Sequence, residues 1–86
     1  MRSLRSSFGL RLKSIRTSRK LTQEQFAELI GVSVDFLSLI ERGISAPSFE
    51  RLEQIAQRLD ISAASLFTFL PAPTRDPGAA GKRRVK

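Results

Sequence analysis

An all-α domain of five short helices is what this sequence predicts, and three observations predict it. Apolar residues recur at helical spacing, first as Phe8, Leu12 and Ile15 at i, i+4 and i+7. A serine or threonine able to cap a helix stands ahead of each apolar stripe, at Ser6 or Ser7, Thr22, Ser33, Ser48 and Ser62. Between Thr22 and Gly43 the chain reads as two short helices joined by a tight turn built on Gly31.

Taken in order, residues 1–5 form a flexible N-terminal arm, and the folded domain spans residues 6–70. The first helix runs to about Ser18, with Arg11, Lys13, Arg19 and Lys20 turned outward or near its end, where cations suit the helix dipole. Thr22 caps the second helix, and Gln25 three residues later completes a capping box. Leu21 and Phe26 are placed to staple that cap, and Phe26, Ala27 and Ile30 make one apolar face. Gly31 ends the helix because the turn needs a positive φ, where a Cβ costs steric energy. Ser33 then caps a third helix that buries Leu37 and Ile40 and stops at Gly43, with Val32 and Leu37 as a second staple. After an extended loop held by Pro47, Ser48 caps a fourth helix with Phe49, Leu52, Ile55, Ala56 and Leu59 inward, its start favoured by Glu50 and Glu53. Ser62 caps the fifth, Ala63 to about Leu70. Phe67, Phe69 and Leu70 crowd its end, more apolar surface than a five-helix core needs. They serve either as core or in part as a subunit contact. Residues 71–86 change character, with three prolines, two glycines and a basic end at Lys82, Arg83, Arg84 and Lys86; this composition predicts a flexible basic tail.

Composition removes several function classes. Without cysteine or histidine the chain has no disulfide, no thiolate or imidazole metal ligand and no common nucleophile–base pair, so no metal, no cofactor and no enzymatic activity are expected. No apolar run approaches a membrane span and no signal-peptide core follows Arg2 and Arg5, which points to a soluble cytoplasmic protein. At 86 residues the core is marginal, and a partner subunit would help it. The net charge of +7 is uneven. Residues 1–20 carry seven bases and no acid, residues 21–70 three bases against seven acids, and residues 71–86 five bases against Asp76. The basic character therefore sits at the ends, and overall charge alone argues weakly for a nucleic-acid partner.

The stretch TQEQFAELIGVSVDFLSLIERG carries more information. It resembles the Cro/CI-type (lambda-repressor-like, XRE) helix-turn-helix family, close to the pattern T-Q-x-x-[FL]-A-x-x-x-G-[VI]-S-x-x-x-[IL]-S-x-[IL]-E-R-G. The match includes Thr22, Gln23, Phe26, Ala27, Gly31, Val32, Ser33, Leu37, Ser38, Ile40, Glu41, Arg42 and Gly43, and the likeness extends over roughly residues 8–70. The resemblance implies a lambda-repressor-like DNA-binding domain whose Ser33–Arg42 helix enters the major groove, with its first residues against base edges. It also implies a structural ion pair between Arg16 and Glu41, tying the first helix to the third. The DNA-binding residues it implies are Thr22 and Gln23 at the second helix, Ser33, Val34, Asp35, Phe36, Ser38 and Leu39 on the third, and Arg42, Gly43 and Ser45 after it. Gln23 would offer its side chain and a backbone N–H to a phosphate.

At the reading positions the chain departs from commoner family members. Val34 replaces a frequent glutamine or arginine, Leu39 a frequent lysine or glutamine, and Phe36 a frequent tyrosine. Val34 can meet a thymine methyl and Ser38 can bond several bases. Asp35 either accepts from cytosine N4 or serves as a charge at the helix start. Direct readout is therefore sparse, and DNA shape carries more of the recognition.

The leading reading is a stand-alone, dimeric, sequence-specific transcriptional regulator that binds double-stranded DNA at a palindromic operator, as a repressor or a restriction-modification controller protein. A homodimer would use Phe67, Phe69 and Leu70 as candidate interface residues and reach half-sites about 34–36 Å apart. The alternative is an antitoxin that neutralises a partner toxin protein and autorepresses its operon, with residues 71–86 as the toxin-binding segment. A third reading keeps the fold as a protein-interaction module without DNA binding.

Overall fold

Ser3 opens the folded chain: its Oγ accepts from the Ser6 amide at 3.1 Å and caps α1, Leu4–Ser18. The computed structural model describes residues 3–69, and among these it has four α-helices, one short 3-10 helix and no strand. After α1 come α2 (Gln23–Ile30), α3 (Val34–Glu41), α4 (Phe49–Leu59) and the 3-10 helix Ala63–Phe67. α1 packs on α3, α2 on both α3 and α4, and the 3-10 helix closes against α1 and α4. The shared core holds Leu12, Phe26, Ile30, Leu37, Ile40, Ile55, Leu59 and Leu66, all essentially without exposure.

Serine and threonine caps set the element boundaries. Thr22 Oγ1 accepts from the Gln25 amide at 3.1 Å while Gln25 Oε1 accepts from the Thr22 amide at 2.9 Å, a reciprocal capping box. Ser33, Ser48 and Ser62 each accept from an amide three residues on, at Phe36, Arg51 and Ser65. At the other ends, Gly31 (φ 82°) closes α2 and Asp60 (φ 59°) closes α4, both in the left-handed region. Asp is among the few side chains that enter this region at modest cost.

Three expectations from the sequence need correction. α1 begins one turn before Ser6 and Ser7, so Leu4 and Arg5 belong to a helix rather than to an arm; Ser6 lies within α1, against Gly43. The last element is not a fifth α-helix but a five-residue 3-10 helix followed by a turn. Phe67 and Phe69 both pack on the core, with ring centroids 5.9 Å apart, and residues two apart would diverge on an α-helix. Phe49 is not inward: it is 86% exposed. It lies on the apolar stripe by spacing, but it is the first residue of α4, and helical side chains lean towards the N-terminus. The ring therefore projects past the helix end and stays largely in solvent. Met1, Arg2, Leu70 and the tail 71–86, with the dimer-contact role anticipated for Leu70 and the toxin-binding role for the tail, lie outside the described residues.

No helix among the described residues is long and apolar enough to cross a membrane, and no cluster of three or more acids among them is placed to hold a metal ion.

The α1–α3 crossing depends on Gly9. A Cβ there would run into the carbonyl oxygen of Ile40 and stand 3.0 Å from that of Glu41, both main-chain atoms at the end of α3. Gly9→Ala should gain up to about 1 kcal/mol of helix propensity yet lose more, since overpacking against rigid backbone costs roughly 1–3 kcal/mol. The variant should melt several degrees lower, about 4–8 °C for each net kcal/mol in a domain of this size. A melting temperature equal to or above wild type would contradict the close approach.

Candidate nucleic-acid interface

The α2–turn–α3 unit is built from local chemistry and then fixed by its neighbours. Gly31 turns the chain, its N–H donating to Ala27 O at 2.9 Å while Val32 N–H donates to the same oxygen at 3.0 Å. The positive φ demands glycine here; a Cβ would also meet Gln54 Nε2 and the Arg58 guanidinium on α4, both ends of flexible side chains that can give way. Arg51 holds the turn from α4, its Nη1 donating to Gly31 O at 3.0 Å. Two residues later Ser33 starts α3.

α3 divides cleanly. Leu37, Ile40 and Glu41 face inward and are buried. Ser33, Val34 and Asp35 form an exposed edge at its first turn, with Val34 36% exposed. Ser38 and Leu39 are half-buried, and Phe36 is half-buried with its ring packed on the core. Thr22, exposed, and Gln23, half-buried, stand at the start of α2. Beyond α3, Arg42 is exposed and Gly43 and Ser45 are half-buried. The following loop folds back on the helix end: Gly43 N–H donates to Ile40 O, and the amides of Ile44 and Ser45 donate to Leu39 O at 2.9 and 3.3 Å. These bonds satisfy carbonyls that a helix C-terminus leaves open.

One carboxylate anchors the arrangement. Glu41 Oε2 accepts from Arg16 Nε at 2.8 Å, and Oε1 accepts from Arg16 Nη2 at 3.2 Å and from Gln23 Nε2 at 3.0 Å. Arg16 Nη1 also donates to Leu21 O at 2.9 Å, in the α1–α2 link. A single cluster thus joins α1, the linker, the first residue of α2 and the last residue of α3. Glu41 thus accepts one of the two N–H bonds of the Gln23 amide group.

The helix-turn-helix description of a family model, HTH_3, matches residues 12–66, which contain the whole α2–turn–α3 unit. The chain belongs to the HTH_3, XRE-type helix-turn-helix family. It is 41% identical over 59 residues to the HTH-type transcriptional regulator YazB of Bacillus subtilis, covering 69% of this chain and 86% of YazB. It is also 43% identical over 58 residues to the immunity repressor protein of Bacillus phage phi105, covering 67% of this chain but only 40% of that repressor. Among solved structures it is similar to the restriction-modification controller protein C.AhdI from Aeromonas hydrophila, with a TM-score of 0.67 and 35% identity over 72% of this chain and 94% of the controller. The family is one of transcriptional regulators, and this chain carries its helix-turn-helix.

Several residues that hold this HTH_3 unit in place were not legible as such in the sequence. Gly9 is the clearest, although an isolated glycine between Phe8 and Leu12 on a helical stripe is itself a sign of close packing. Arg11 and Arg19 look like outward cations, yet they donate to Ser65 O and Leu59 O, each at 2.9 Å. No local pattern announces such bonds, because their partners lie 54 and 40 residues away.

With the Glu41 side chain 3% exposed and that of Arg16 14%, the pair behaves as a buried one. Removing one partner of a buried pair strands the other charge and costs about 3–5 kcal/mol. Denaturant unfolding of Glu41→Ala should show a loss of that order, while Arg16→Met combined with Glu41→Leu should lose less than Glu41→Ala alone. An unchanged unfolding midpoint for Glu41→Ala would refute the anchoring role.

Proposed function

We propose that this protein regulates transcription as a homodimer on a palindromic operator, with α3 lying in the major groove. The observation that carries the reading is the exposed first turn of α3, where Ser33, Val34 and Asp35 stand clear of a helix whose opposite face is buried. A rod presented in this way, with its N-terminal residues outward, is what groove entry requires. Gln23 at the start of α2 offers a backbone N–H to a phosphate and Thr22 the O–H of its capping hydroxyl, while Arg42 adds a cation beside the loop that carries Gly43 and Ser45.

The reading edge is short of hydrogen-bond donors. Val34 offers a methyl contact to thymine, Ser38 a hydroxyl, and Asp35 an acceptor for cytosine N4. Phe36 and Leu39 add apolar bulk rather than donors. Discrimination then rests on few base contacts and on the deformability of the intervening DNA. The similarity to the regulator YazB, matched over 86% of YazB's length, supports a role in transcriptional regulation. That to the restriction-modification controller protein C.AhdI supports the same reading for the helix-turn-helix domain. A cytoplasmic setting fits such a role.

Selection of bound duplexes from a random pool, followed by titration at two salt concentrations, tests the proposal. A palindromic consensus and an affinity that falls steeply with salt are expected, with the slope near −0.9 per phosphate contacted. Val34→Glu, placed on the exposed edge beside Asp35, should weaken binding to the selected site at least tenfold, about 1.4 kcal/mol. Its melting should stay within about 0.5 kcal/mol of wild type, as for other surface changes. Enrichment of no sequence, or a Val34→Glu protein that binds as well as wild type, would reject the proposal.

A further inference from the structure

The most exposed large apolar side chain outside the candidate interface is Phe49, at the start of α4, and it does not stand alone. Beside it runs an apolar groove of about 390 Å³, lined chiefly by Leu4, Phe8, Pro47, Leu52 and Phe67. Leu4 on its rim is 60% exposed, and Phe8 and Phe67 stack at its floor with ring centroids 5.4 Å apart. An apolar cavity of about 150 Å³ already holds a benzene molecule, so a groove of this size admits a phenyl ring and part of the backbone that carries it. A projecting ring next to a groove able to take one is a self-complementary surface.

Charge favours the same occupant. Arg5 borders the groove on one side of Phe49, while Glu50 and Glu53 border its continuation on the other side, over Ala63 and Phe67. A two-fold axis near Phe49 brings the cationic rim of one copy to the acidic rim of the other, and each Phe49 into the opposite groove, as an isologous contact requires. An unrelated partner would need both features supplied afresh; a second copy has them already.

We infer that the Phe49 face is where two copies of this chain meet, each inserting Phe49 into the groove between α1, α4 and the 3-10 helix of the other. The inference rests on the dimeric reading proposed above and assigns its contact surface. None of the groove residues belongs to α2 or α3, although Ala46 and Pro47 directly follow the loop residue Ser45. Of the interface candidates from the sequence, Phe67 lines this groove, whereas Phe69 lies in a separate cleft with Leu10 and Arg11.

Sedimentation equilibrium of the full chain, without DNA, tests it. Wild type should show a monomer–dimer equilibrium at micromolar concentrations, roughly 1–200 μM. Phe49→Ser should raise the dimer dissociation constant at least tenfold with an unchanged thermal melt. Arg5→Glu, and separately Glu50→Lys with Glu53→Lys, should each weaken the dimer several-fold, and an equimolar mixture of the two should associate better than either alone. A wild-type dimer that Phe49→Ser leaves intact overturns this surface while the dimeric reading stands. A wild type monomeric throughout the range overturns both, and the DNA titration of Val34→Glu is decided independently of either result.

Discussion

The position of α3 depends on where the Glu41 carboxylate finds its donors. Taking a carboxylate out of water is tolerable only if hydrogen bonds and an opposite charge replace its hydration. Here Arg16 supplies two bonds and the charge, and Gln23 supplies a third. Because Glu41 is the last residue of α3, while Arg16 sits near the end of α1 and Gln23 begins α2, satisfying one anion fixes three helix ends together. Any rotation of α3 that turned Val34 and Asp35 inward would carry Glu41 away from all three donors. The same bonds that hold the fold therefore set which edge of α3 faces outward, and they fix the side chain of Gln23.

The other arginines extend this logic to the backbone. Arg11 donates to the Ser65 carbonyl within the 3-10 helix, while Arg5, Arg19 and Arg51 donate to the carbonyls of Ile44, Leu59 and Gly31, which lie at or just beyond the ends of α-helices. Such carbonyls lack partners within their own helices and carry the negative end of the dipole, so a guanidinium both satisfies and neutralises them. A net charge of +7 thus misleads if taken as a measure of DNA contact, since much of the arginine content joins one element to the next. On the proposed reading, the surface that meets DNA has few donors, which shifts weight from base contacts to DNA shape.

What the sequence made legible was whatever is decided locally. Thr22 with Gln25, and Ser33, Ser48 and Ser62, cap the helices they were expected to cap, because an N-cap bond closes within three residues. Gly31 was legible because a left-handed turn between two apolar stripes leaves little choice of residue. The buried stripe of Phe8, Leu12 and Ile15 followed from periodicity. Where tertiary geometry decides, the sequence was silent or misleading. Phe49 keeps the helical period but projects past the end of α4; Ser3 wins the cap of α1 from Ser6; and the two-residue spacing of Phe67 and Phe69 gives way to a 3-10 helix and turn so that both rings reach the core. Within the candidate interface, the motif located the residues, whereas their division into an exposed edge (Val34, Asp35) and half-buried flanks (Phe36, Ser38, Leu39) needed the packed helices.

The account turns on α3 being the part of the molecule that meets DNA. Backbone amide shifts, followed by NMR while a selected duplex is titrated in, test this most directly. The largest changes should fall at residues 33–38, at Gln23 and at residues 42–45, leaving the outer face of α1 around Lys13 and Thr17 little altered. A titration in which the amides of residues 33–38 stay still while shifts gather elsewhere would contradict it.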